Sequence, residues 1–171
     1  MRDAGGATPR YLVTGYPMSH AFDRHDHRTC VARALSAAEG ACAERRLSLT
    51  PLRRRTLEIL LESHAALGAY DVLARLEAEG FGSKPPVAYR ALGFLVENGF
   101  AHRIEGLSAF VACDRPGAEH APSFLVCRRC RRVAEEDIAA PLGAEAEAEG
   151  FAIERTVVEA QGLCPACRGG A

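Results

Sequence analysis

Over the first two thirds of the chain, apolar residues recur at spacings of three and four, the period of one buried helix face. Val31, Ala34, Leu35, Ala38 and Ala41 predict a first helix over Thr29 to Arg45. Thr50 and Pro51 mark the next start: the threonine oxygen can cap free N–H groups, and proline fits the first helical position. Leu52, Leu57, Leu60 and Leu61 form that helix's inward stripe, and residues 63–68 read as a loop. A third helix is expected from about Ala69 to Ala78, with Val72, Leu73 and Leu76 inward and Glu79-Gly80 as its end. Pro85-Pro86 opens a fourth, Val87 to about Glu97, closed by Asn98-Gly99. Its apolar positions leave Tyr89, Arg90 and Gly93 nearer the other side. The pattern then becomes extended. Phe100–Ile104 and Ala109–Ala112, joined through Glu105-Gly106-Leu107-Ser108, predict a hairpin.

Three short helices, a last helix with Tyr and Arg exposed, and a trailing hairpin make a winged helix-turn-helix over residues 29–112. The fourth helix is the reader, because an α-helix fits the major groove and its side chains reach base edges. Arg90 can donate two hydrogen bonds to a guanine, Tyr89 can reach a phosphate or a thymine methyl, and the wing would lie along the backbone or minor groove. The bland reading is a winged helix used only for protein contacts. Residues 113–121 read as a hinge, and 122–171 as a small α/β unit. In that unit Ser123–Val126 is extended, Ala134–Ala148 is a helix broken near Pro141-Leu142-Gly143, and Phe151–Glu159 is an alternating strand. So short a unit buries little surface alone. It needs a cross-link and a partner copy, for which antiparallel edge strands offer a surface. The fold class is α+β: an N-terminal winged helix-turn-helix domain followed by a small α/β dimerisation domain. Residues 1–28, with Gly5-Gly6, Pro9 and Pro17, read as a poorly structured extension within which Met18 is a candidate start.

Composition adds little by its totals. The 171 residues carry a formal net charge of -1, which by itself gives no hint of a nucleic-acid partner. Distribution says more. Arg45, Arg46, Arg53, Arg54 and Arg55 fall with no acid among them, a cluster able to meet phosphates or simply to coat a solvated helix. Arg53–Arg55 also crowd the opening turn of the second helix, where cations oppose the helix dipole, so they answer to something outside that helix. There is no apolar run long enough for a membrane span. Seven cysteines without an apolar leader point to metal ligation in a reducing cytoplasm.

The cysteines are where the chemistry concentrates. Cys127-Arg128-Arg129-Cys130 and Cys164-Pro165-Ala166-Cys167 each bring two thiolates into one turn, and together they make the tetrahedral soft set of a structural zinc ion. A redox pair would leave the second CxxC idle, and a disulfide needs an oxidising compartment. A second set is His102, Cys113, His120 and Glu135, two imidazoles, a sulfur and a carboxylate that zinc accepts. Spacing alone does not single it out, because these ligands are scattered. A metal there would join hinge to both halves and bind only at one relative angle, shifting the population toward it. In a dimer that angle sets the distance between the two reading helices, which must match two half-sites. His25 and His27, with His20 nearby, could hold a further ion in an extended chain or be adventitious binders. His64 and the thiols of Cys30 and Cys42 read as structural.

Several stretches carry a family resemblance: Leu49-Thr50-Pro51-Leu52-Arg53, Gly68-Ala69-Tyr70-Asp71-Val72-Leu73, Lys84-Pro85-Pro86-Val87-Ala88-Tyr89-Arg90-Ala91-Leu92, Asn98-Gly99-Phe100-Ala101-His102-Arg103-Ile104-Glu105, Cys127 with Cys130, and Glu159-Ala160-Gln161-Gly162-Leu163-Cys164 with Cys167. In these the sequence resembles the ferric uptake regulator superfamily, most closely its zinc uptake regulator branch, over about residues 29–167. The resemblance implies a homodimeric repressor that, loaded with zinc, binds pseudopalindromic operators of zinc-uptake genes. It implies structural zinc on Cys127, Cys130, Cys164 and Cys167, and regulatory zinc on His102, Cys113, His120 and Glu135. DNA contacts are implied at Tyr89 and Arg90, supported from the Arg53 and Arg54 region. The histidine cluster that follows the wing in iron-sensing relatives is replaced by Ala112-Cys113-Asp114-Arg115, and a thiolate favours zinc over ferrous iron. Val87-Ala88 stands where relatives carry Thr-Val, which removes a hydroxyl, and Leu52 stands where they carry Gln. The other readings are an iron, manganese or peroxide sensor of the same superfamily, a zinc-storage or transfer protein without a DNA footprint, and a thiol–disulfide enzyme.

Overall fold

The computed structural model describes residues 20–22, 26–117, 120, 122–136, 146, 148–154 and 156–169. His25, the rest of the extension before it apart from 20–22, and the helix break at Pro141-Leu142-Gly143 lie outside the described residues. Helix α1 (His27–Glu44) starts where the Asp26 carboxylate accepts from the Arg28 N–H. Helix α2 (Pro51–Leu61) starts on Thr50, whose hydroxyl accepts from Arg53 N at 3.4 Å. Helix α3 (Ala69–Ala78) is capped by Asp71 reaching back to Gly68 N at 3.0 Å. Helix α4 (Pro85–Glu97) ends at Asn98, and Gly99 then takes a φ of 72°, a left-handed turn suited to glycine. The four helices share one apolar core in which Leu57, Leu60, Leu76, Leu92, Leu95 and Phe100 are fully buried.

Strands β1 (Leu67–Gly68), β2 (Ala101–Ile104) and β3 (Ala109–Ala112) form an antiparallel sheet in the order β1-β3-β2. The stretch 63–68 is therefore not all loop: its last two residues pair with Phe110 and Ala109. Side chains alternate across a strand, and here both faces are used. Ala101 and Phe110 join the helical core, while Ile104, Ala109 and Val111 face away from it. That second face is covered by another sheet.

The covering sheet is β4 (Ser123–Cys127), β5 (Val133–Glu136) and β6 (Val158–Gly162), in the order β5-β4-β6. Its Phe124, Val126 and Val133 pack against Ile104, Ala109 and Val111 of the wing and Ala66 of the preceding loop. The result is three layers: helices, wing sheet, C-terminal sheet. Backbone bonds tie the loop before β1 to the start of β5, with Ala66 N donating to Arg131 O at 2.9 Å and Val133 N to His64 O at 2.8 Å.

Two expectations for the C-terminal half are corrected. Residues 133–136 are a strand paired antiparallel with β4, not the start of a helix. Ala and Glu favour helix locally, but the exposed hydrogen-bonding edge of β4 and the apolar seam under Val133 decide the outcome. The last strand begins at Val158, not Phe151, and runs parallel to β4. Phe151 and Ile153 alternate correctly but have no ladder partner among the described residues, and both are exposed.

Candidate metal centres and reading surface

Strand pairing delivers the four paired cysteines to one place. Cys127 ends β4, and its register partner is Gly162 at the end of parallel β6, two residues before Cys164. Both CxxC turns thus leave the same end of the sheet. Arg131 N donates to Cys127 O at 2.9 Å to close the first turn, and Cys167 N donates to Cys164 O at 3.0 Å in the second, on helix α5 (Pro165–Gly169). All four Sγ atoms lie within 4.8 Å of one another. A tetrahedral ion with Zn–S bonds near 2.3 Å requires sulfurs about 3.8 Å apart; Cys130 and Cys164 Sγ are 3.7 Å apart. Burial works against a charged Cys127, yet N–H groups of Cys130, Cys164 and Arg129 hold its thiol down at about 6. Burial pushes the neighbouring Cys130 thiol up, and the bond to Cys164 raises Cys167. One thiolate is thus favoured and its neighbours resist joining it, a charge problem that a divalent cation resolves. The donor set fits zinc.

The second cluster is assembled from four separate pieces: His102 on β2, Cys113 just after β3, His120 in the connection, and Glu135 on β5. Their ligand atoms also lie within 4.8 Å of one another. Cys113 Sγ is 3.5 Å from His120 Nε2, and His102 Nε2 is 3.3 Å from Glu135 Oε2, both close to the edges of a tetrahedral N/S/O zinc shell. His120 Nε2 and Glu135 Oε1, at 2.6 Å, are at hydrogen-bond distance instead. Glu135 also accepts from Asp114 N at 3.0 Å. Burial alone would raise the Glu135 carboxyl, but hydrogen bonding and charge from His102, with the Asp114 N–H and His120, hold it at about 2. Burial and the Glu135 charge push the Cys113 thiol far up. The carboxylate is therefore already ionised at neutral pH, whereas the thiol must lose a proton to ligate. An ion entering this cluster is therefore expected to release at least the Cys113 proton, and its affinity to rise with pH. Zinc titration in weak buffer with a pH indicator measures both; zero protons released would mean Cys113 is not a ligand.

On the helical layer, α4 buries Ala88, Ala91, Leu92, Phe94 and Leu95 and leaves Tyr89 51% exposed with Arg90 exposed beside it. The basic cluster is less available than its sequence implies. Arg54 pairs with Glu39 of α1 and with Glu58. Arg55 binds Glu79 at 2.6 Å, Glu62 at 3.1 Å and Glu58 at 3.2 Å. Arg45 donates to Asn98 O and Gly117 O. The cations at the start of α2 do answer to something outside that helix, but for Arg54 and Arg55 it includes carboxylates of α1 and the end of α3. Arg53 stacks its guanidinium 3.7 Å over the Phe94 ring and donates to Ser48 O, bracing α2 on α4. His27 opens α1, with Nε2 2.5 Å from Leu61 O and its ring edge-on to His64 at 4.7 Å, and is built into the helix junction. Cys42 is core, and Cys30 is half-buried on α1. Sequence reasoning assigned no role to Glu159, which reaches from β6 to the wing turn. Its only signal was a place in the Glu159-Ala160-Gln161-Gly162 stretch.

No helix among the described residues is long and apolar enough to cross a membrane. No family model matches the chain. It is 39% identical over 149 residues to the zinc uptake regulation protein of Escherichia coli strain K12, covering 82% of this chain and 84% of that protein, and equally to the one of Shigella flexneri. Among solved structures it is similar to a zinc uptake regulator complexed with zinc and DNA, at 35% identity and a TM-score of 0.72 over 85% of this chain and 97% of that one. The crystal structure of holo XcZur matches with the same identity and TM-score over 82% of this chain and 99% of that chain.

Proposed function

The chain belongs to the zinc uptake regulator branch of the ferric uptake regulator superfamily, and from that we propose how its residues divide the work. It is a zinc-responsive transcriptional repressor that binds operator DNA as a homodimer. In our reading Cys127, Cys130, Cys164 and Cys167 hold a permanent zinc ion that builds the C-terminal sheet. His102, Cys113, His120 and Glu135 hold the exchangeable ion that is sensed. Residues 29–112 then read DNA, 122–171 form the dimer, and 113–121 connect them. The protein works in the cytoplasm, where thiols stay reduced, and its targets are zinc-uptake genes.

The observation that carries this reading is the address of the mixed cluster. Two ligands come from the wing sheet or its end and one from the C-terminal sheet, so an ion there is bound only when the two sheets hold one geometry. Its binding energy becomes a preference for that geometry. The sulfur ligand argues for zinc rather than ferrous iron or manganese. A titration with buffered zinc, scoring operator binding and zinc per chain at each step, tests it. Operator binding should appear as the second ion enters; equal binding with one ion and with two would sink the sensor assignment.

Tyr89 and Arg90 are the base-reading pair, with Arg53 holding α4 in place. Arg54, neutralised by Glu39 and Glu58, carries less of the DNA contact than its charge implies. Arg90→Ala is expected to weaken operator binding about 10- to 100-fold, the range for a bidentate contact to a guanine, with dimer mass and zinc content unchanged. Footprinting titration checks this, and unchanged affinity would move the reading surface elsewhere.

A further inference from the structure

The register of the C-terminal sheet lines up three residues in one cross-strand row: Glu135 opposite Phe124, and Phe124 opposite Glu159. Side chains in such a row share a face, and here it is the face turned to the wing. Phe124 is buried in the seam between the sheets. Glu135, on the β5 edge, belongs to the mixed metal cluster. Glu159, on the β6 edge, reaches the wing turn. Its Oε1 accepts from Glu105 N at 2.6 Å and its Oε2 from Gly106 N at 2.9 Å. Gln161, two residues on and on the same face, closes over the same spot. A Cβ at Gly106 would come within 2.5 Å of Gln161 Nε2 and 3.0 Å of Glu159 Oε2, so a side chain there would push the ends of these two side chains aside.

We propose that Glu159 is a positioning residue of the zinc response, a carboxylate clamp that pins the wing turn at one edge of the C-terminal sheet while the exchangeable ion pins the wing at the other. The inference rests on the mixed cluster being the regulatory zinc site. Its physical basis is that an apolar seam attracts without fixing direction. A wing held by Phe124 and its neighbours, and on the β5 side by the metal and the backbone bonds of Ala66 and Val133, can still pivot about that side. Two charge-assisted hydrogen bonds at the far edge remove that freedom. The ion then has less motion left to freeze, so it binds more tightly and transmits a defined angle to α4. By linkage, loss of the clamp weakens zinc at the mixed site and operator binding together. The clamp also occupies the Glu105 and Gly106 N–H groups, so the wing turn does not offer them to DNA phosphates.

The test uses the full-length dimer with its tetrathiolate zinc in place, as wild type, Glu159→Gln, Glu159→Ala and Gly106→Ala. Two quantities are read: amide hydrogen exchange at Glu105 and Gly106, and the free zinc concentration that half-fills the mixed site. Binding of a DNA fragment selected by the wild-type protein is followed in parallel. Glu159→Ala is expected to speed exchange of both amides and to raise the zinc half-point about tenfold, within the usual range of coupling, and Gly106→Ala, which only displaces the ends of Gln161 and Glu159, to do both to a smaller extent. Glu159→Gln, which keeps one acceptor oxygen, should fall between. Dimer mass and tetrathiolate zinc should not change. Faster exchange with an unchanged half-point would make the contact structural only and overturn the proposal. Unchanged exchange would mean the contact is not made in solution, which overturns the clamp as well. Failure of the wild-type protein itself to bind DNA in response to zinc is a separate result, and it would remove the regulatory reading on which the clamp rests.

Discussion

Cys127→Ser is expected to release the tetrathiolate zinc, unfold the C-terminal sheet and abolish the dimer. Cys127 is 1% exposed at the end of β4, and its sulfur collects N–H groups from both turns, including Cys164 N at 3.4 Å. A hydroxyl replaces that thiolate poorly as a zinc ligand. Structural zinc contributes roughly 10–16 kcal/mol of apparent binding energy in small zinc domains, whereas a whole domain is stable by only about 5–15 kcal/mol. Losing the ion therefore exceeds what the short sheet β5-β4-β6 can supply. Unfolding also strips the cover from Ile104, Ala109 and Val111, so the wing should loosen while the helical core around Leu92 and Phe100 survives. Metal analysis with sedimentation equilibrium and far-UV circular dichroism measures the outcome. A folded dimer lacking only this zinc would show that the four thiolates do not hold the fold.

What the sequence made legible divides along a physical line. Helix α4 and the two CxxC turns are specified locally, by proline and glycine punctuation and by ligands three residues apart, so their identity was readable without tertiary contacts. Strand β5 was not. Ala134, Glu135 and Glu136 favour helix on their own, and only pairing with Leu125, Phe124 and Ser123 makes them a strand. The same kind of non-local pairing brings Glu135 to His102, which is why spacing could not single out the mixed cluster. Arg54 and Arg55 looked like a phosphate-binding run because their carboxylate partners Glu39 and Glu79 sit on other elements. Glu159 was invisible for a further reason. Its partners are backbone N–H groups, which every residue but proline carries, so no residue type in the wing turn advertises the contact except the missing side chain of Gly106.

Cys113→Ser is expected to disconnect DNA binding from zinc while leaving a folded dimer that retains its tetrathiolate ion. Cys113 is 2% exposed and lies between Glu135, His120 and the Arg115 N–H, which donates to its sulfur at 3.3 Å. Serine is close in size and keeps an acceptor for that N–H, so the packing cost is small. The loss falls on the metal: a hydroxyl does not ionise as a thiol does, and three weaker ligands remain. Allosteric coupling is typically about 1–3 kcal/mol, roughly 5- to 150-fold in affinity. The variant should therefore bind operator with the low affinity of the wild-type protein stripped of its exchangeable ion, at every zinc concentration. Fluorescence anisotropy of operator DNA across buffered zinc gives that comparison directly. The contrast with Cys127→Ser is the informative part: one cysteine substitution should remove the dimer, the other only its response. If Cys113→Ser still binds operator in step with zinc, then His102, His120 and Glu135 are either sufficient without sulfur or are not the sensor.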